Sequence, residues 1–69
     1  MNAMEIIKIK ALMKKYKINQ TKLAFYLHTS KANVSNKLAG RRGFSIDDIK
    51  IMKAIFNLSN DEVCDIFLK

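Results

Sequence analysis

Sixty-nine residues, 49% of them apolar, suffice for one compact core and are too few for two domains. The lack of proline, the two glycines (Gly40 and Gly43) and the single cysteine, Cys64, exclude a turn-rich β-sandwich, an internal disulfide and a multi-cysteine zinc site, and point to a reducing compartment. The net charge of +7 is uneven: ten Lys/Arg against one acid over residues 1–44 (+9), three against five over 45–69 (−2), so the basic portion suits a polyanionic partner.

Apolar spacing predicts five helices. The first spans Ala3 to Tyr16, with Ile6, Ile9, Met13 and Tyr16 at three- and four-residue intervals, Leu12 beside them, and Lys10, Lys14, Lys15 and Lys17 on the other side and at the end. Asn19 is a good N-cap for a second helix to Leu27 that buries Leu23, Ala24 and Leu27. After the short turn His28-Thr29, Ser30 caps a third helix to Ala39 that buries Val34 and Leu38, and Gly40 stands where a helix stop needs a left-handed residue. Arg41, Arg42 and Gly43 complete the loop. Phe44 then leads into Ser45-Ile46-Asp47-Asp48, a capping-box-like start. The fourth helix runs to Asn57, with Ile46, Ile49, Met52, Ile55 and Phe56 expected inward. Ser59 and Glu62 form a capping box for the last helix, with Val63, Ile66 and Phe67 inward. Tyr16, Phe25, Tyr26, Phe44, Phe56 and Phe67 are expected as core or helix-packing aromatics, and Cys64 as a small buried or interfacial hydrophobe.

No apolar run approaches the roughly 18 residues of a membrane span, and Lys8 and Lys10 interrupt the N-terminal apolar residues, unlike a signal peptide. The chain reads as a complete, single cytoplasmic domain over residues 1–69. A membrane-surface helix is disfavoured, because the lysines of the first helix interrupt its apolar stripe rather than flank it. No paired acid–base set, phosphate loop or metal cluster is apparent, so neither an enzyme nor a cofactor is expected.

The informative stretch is Asn19 to Gly40: two short helices and a tight turn, the second helix opening on Ser30, Lys31, Ala32 and Asn33 and continuing with Ser35, Asn36 and Lys37. A helix that enters the DNA major groove needs one apolar face to hold it on its domain and another carrying groups for base edges. Val34 and Leu38 supply the first; Lys31, Ala32, Ser35 and Asn36 share the opposite arc. Small Ala24 suits close packing of the second helix on the third.

Ile18-Asn19-Gln20-Thr21-Lys22-Leu23-Ala24, then Ser30 to Gly40, then Phe44-Ser45-Ile46-Asp47-Asp48-Ile49 resembles the Cro/C1-type (Xre-like) helix-turn-helix family of phage regulators, over residues 5–67. The resemblance implies an all-α, five-helix, lambda-repressor-like fold and a sequence-specific transcriptional regulator that occludes an operator in double-stranded DNA, with no small-molecule substrate. By position it implies a phosphate contact at Gln20, base reading at Lys31, Ala32 and Asn36, and backbone contacts at Arg41 and Arg42. Ser30, Asn33, Ser35 and Lys37 complete the expected DNA-facing set, with Lys22 and Lys37 as further phosphate contacts. Asn36 is expected to pair with adenine and Lys31 with guanine. His28 stands where the family usually has glycine, and Ala32 offers only a methyl contact.

One recognition helix reads too few base pairs for a unique site, so a homodimer is expected, with Ile51, Cys64, Phe67 and Leu68 as surplus apolar groups at its interface. The alternative is a protein–protein adaptor, an anti-repressor or antitoxin-like module that keeps the same fold.

Overall fold

The computed structural model describes residues 3–67. These form five helices: α1 (Ala3–Lys15), α2 (Gln20–Tyr26), α3 (Lys31–Leu38), α4 (Ile46–Ile55) and α5 (Asn60–Phe67). No strand occurs among the described residues, and none of their helices is long and apolar enough to cross a membrane.

Four of the helices start on side chains that accept the orphan N–H three residues on. Asn19 accepts from the Lys22 amide at 2.8 Å and Ser30 from the Asn33 amide at 3.1 Å. Ser45 with Asp48, and Ser59 with Glu62, form reciprocal capping boxes at 3.0–3.1 Å.

Four helices also stop in the same way. After α1, α2, α3 and α4 one residue enters the left-handed region: Lys17 (φ 56), His28 (φ 55), Gly40 (φ 83) and Asn57 (φ 52). The amide of the following residue then returns to a carbonyl five residues back. The pairs are Ile18 to Met13 (2.8 Å), Thr29 to Ala24 (3.0 Å), Arg41 to Asn36 (3.0 Å) and Leu58 to Lys53 (2.9 Å). Each is the 6→1 closure of a Schellman stop, which satisfies carbonyls that the helix end leaves free.

Only Gly40 enters that region without a Cβ penalty. A left-handed L-residue costs about 1–2 kcal/mol, while glycine gives back roughly 0.5–1 kcal/mol through its freer unfolded chain. His28→Gly is therefore expected to raise the unfolding free energy by about 0.5–1 kcal/mol, read as a higher urea midpoint at unchanged slope. A lower midpoint would mean that the exposed His28 side chain contributes more than its backbone costs.

The core is built from Ile9 and Met13 of α1, Ile18, Leu23, Ala24 and Leu27 around α2, Val34 and Leu38 of α3, Met52, Phe56 and Leu58 around α4, and Ile66 of α5. The α2–α3 pair is the most extensive helix contact, and α5 packs on both α1 and α4. Lys8 of α1 bonds Asp65 of α5 at 2.7 Å, and Lys53 of α4 bonds Asn60 at the start of α5.

Several apolar residues depart from expectation. Ile46, expected inward, is 74% exposed, because Ser45 caps α4 and the first turn projects beyond the core that Met52 and Phe56 enter. Phe25, expected as a packing aromatic, is 77% exposed. Its position on the short α2 lies opposite the arc set by Leu23, Ala24 and Leu27, and its ring touches Tyr26 edge-on. Tyr16 is at the surface with its ring tilted on Phe56. Ile51 and Phe67 pack against the core rather than remaining surplus, whereas Cys64 is exposed. Leu68 lies outside the described residues.

Candidate nucleic-acid interface

The site is built on α2 and α3 and the turn between them. Leu23 and Ala24 of α2 and Val34 and Leu38 of α3 are buried together, so each short helix holds the other against the body. Ala24 lies in this contact as the sequence predicts; a larger side chain would push the helices apart. His28 takes the left-handed conformation that its place in the turn demands.

With Val34 and Leu38 inward, Lys31, Ala32 and Ser35 are exposed and Asn36 is half-buried. These four expected residues share one solvent-facing side of α3. Arg41 and Arg42 are exposed just beyond its end, and Gln20 is half-buried at the first position of α2. Ser30 is exposed, and its hydroxyl oxygen is engaged as the N-cap of α3. Asn33 is half-buried, and its amide nitrogen donates to the Thr29 hydroxyl at 2.9 Å, which stiffens the turn.

Lys37 departs from the expected DNA-facing set. Its ammonium lies 2.5 Å from Asp48 Oδ2 and 5.8 Å from the centre of the Phe44 ring, with only 16% of its side chain exposed and 9% of that of Asp48. The long aliphatic stem lets the charge reach inward from the flank of α3 to the first turn of α4. Lys37 therefore ties the end of α3 to the start of α4, with its ammonium engaged inside the fold.

Asp48, which the sequence marks only as a cap, is a neighbour of this site through Lys37. It accepts from Lys37 and from the Ser45 amide at once. Burial pushes its carboxyl up. The bond from Lys37, the Ser45 amide, the Lys37 charge and the Ser45 side chain together outweigh that and hold it below the ordinary carboxylate value. No local pattern marks this pair, since the partners are eleven positions apart on different helices.

A second side-chain bond joins the site to its loop: Arg41 Nη1 donates to Asn36 Oδ1 at 3.2 Å. Chemically, the outward surface presents an ammonium, a methyl, a hydroxyl, an amide and two guanidinium groups, a set fit for phosphates and for base edges. Comparison with family models, with curated proteins and with solved structures returns no match to this chain.

Proposed function

We propose that this chain is a cytoplasmic, sequence-specific DNA-binding regulator of transcription. In this reading α2 and α3 act as a helix-turn-helix within a lambda-repressor-like fold, and bound protein occludes an operator. The observation that carries the reading is the α3 surface: Lys31, Ala32, Ser35 and Asn36 face outward from a helix anchored by Val34 and Leu38, with Arg41 and Arg42 beside them. The +9 charge of residues 1–44 supports a polyanionic partner.

Two copies are part of the proposal. Successive major-groove faces are about 34 Å apart along DNA, and the described fold measures 29 × 22 × 21 Å, so a second copy would occupy the next half-site.

Binding is expected to weaken steeply with salt. With Lys37 internally paired, Lys22, Arg41 and Arg42 are the cations nearest the proposed backbone contacts. Two copies would neutralise about 4–6 phosphates, for a log–log slope of about −4 to −5. Affinity for sites selected from a random DNA pool should then fall roughly 300- to 1000-fold between 50 and 200 mM salt. The adaptor reading is favoured by one observation, the exposure of large apolar side chains, Phe25 and Ile46 most of all. A slope near zero, with no sequence recovered by selection, would favour that reading.

A further inference from the structure

The stop at the end of α3 differs from the one at the end of α1 in what its two closing residues carry. A 6→1 closure brings the side chains of its end residues together, commonly as an apolar contact. After α1 these residues are Met13 and Ile18, both buried. After α3 they are Asn36 and Arg41, and the guanidinium donates to the amide oxygen at 3.2 Å. The chemistry fixes which amide atom faces Arg41. A guanidinium has five donors and no acceptor, so the oxygen must turn to it and the amide nitrogen turns away. Gly40, whose φ of 83 makes the closure, thereby places Arg41 over the outward side of α3.

We propose that Arg41 is a positioning and specificity-determining residue. By occupying one of the two lone pairs of Asn36 Oδ1 it leaves the pair with donors in excess, so that the pair selects guanine rather than adenine at the base it meets. This rests on the reading of α3 as the DNA-facing helix. Adenine offers an acceptor, N7, beside a donor, N6, and bidentate pairing with it needs the amide oxygen as well as the nitrogen. The oxygen bonded to Arg41 keeps one lone pair, but the guanidinium stands beside it with further N–H groups, so the adenine amino group must compete with a donor for that lone pair. Guanine offers two acceptors, O6 and N7, which Asn36 Nδ2 and the remaining Arg41 donors can both serve. The adenine expected for Asn36 from its amide alone is thus replaced. Arg41 changes from a backbone clamp to part of the base-reading surface.

The test uses the whole chain, DNA selected from a random pool, and four variants: Asn36→Ala, Arg41→Ala, Arg41→Lys and the Asn36→Ala/Arg41→Ala double variant. Both residues are outside the core, so circular dichroism should show all variants folded. At the base pair whose preference disappears in Asn36→Ala, the wild type should favour guanine over adenine about tenfold or more. Arg41→Ala should reduce that ratio to about threefold or less, and the double variant should discriminate no worse than Asn36→Ala alone. Arg41→Lys should keep the salt slope and fall between wild type and Arg41→Ala in guanine preference, because an ammonium still donates but lacks the planar fork. A wild-type preference for adenine, or an Arg41→Ala variant that weakens all sequences equally, overturns the proposal. In the DNA-free protein, the side-chain amide resonances of Asn36 should move and broaden in Arg41→Ala; unchanged resonances overturn the positioning role without reference to DNA. If they move but the wild type distinguishes no DNA sequence, the regulator reading fails and the guanine assignment falls with it.

Discussion

Asp48→Ala is expected to lower the unfolding free energy by about 3 kcal/mol, most of what a domain of this size commands. The loss has two sources. The Lys37 ammonium loses the partner that offsets its desolvation, and the Ser45 amide at the start of α4 loses its acceptor. Asp48→Asn keeps an acceptor for the amide but not the charge, and should fall between wild type and Asp48→Ala. The pH dependence has a definite sign. Because the folded carboxyl lies below its ordinary value, its contribution is complete above about pH 4 and is lost as pH falls through the lower, folded value. Urea unfolding of the wild type from pH 6 to pH 2 should show this loss, and Asp48→Asn should lack that component. Equal acid sensitivity in the two proteins would remove Asp48 from the account.

The second large effect separates two phenylalanines. Phe56 is 1% exposed at the end of α4 and its ring lies 5.9 Å from that of Tyr16 across the boundary with α1. Phe56→Ala removes a whole buried ring and leaves a cavity between α1 and α4, at a cost of about 3–5 kcal/mol. At that cost a small domain is largely unfolded at room temperature, so Phe56→Leu provides the measurable intermediate. Phe25→Ala, by contrast, should change stability by less than about 0.5 kcal/mol, since the ring is 77% exposed. The check is a pair of thermal melts at neutral pH. A large loss from Phe25→Ala would assign that ring a packing role that its exposure excludes.

What the sequence reveals of this molecule is what short-range chemistry encodes. Asn19, Ser30, Ser45 and Ser59 mark helix starts because their side-chain oxygens reach amides three residues away, and the observed boundaries fall within two residues of expectation. Gly40 marks a stop because glycine alone enters the left-handed region freely. Lys17, His28 and Asn57 occupy equivalent positions, but neither a lysine nor a histidine carries such a signal. The next helix docks only if the chain turns there, so packing decides the backbone. The turn of Ala32, Ser35 and Asn36 away from Val34 and Leu38 is legible from helical period, whereas Lys31, at i−3 and i−7 to those two, is exposed because it opens the helix. The inward reach of Lys37 is not legible: its neighbours suggest a solvated cation, and only the approach of α4 turns it inward. Phe25 shows the limit of reading by residue type, since on a seven-residue helix a single step in phase moves a side chain from core to solvent.

The repeated left-handed stops also bear on how the chain finds its fold. Each is closed by residues only five apart and needs no distant partner, so helix limits can form and dissolve in the unfolded ensemble before any core exists. Isolated helices of 7 to 13 residues are marginal, so these limits persist only when neighbours dock. The remaining search is over the collision of short rods joined by tight elbows, the regime in which small helical domains fold in microseconds to milliseconds. Without proline in the sequence, no slow isomerisation at a prolyl bond interrupts it.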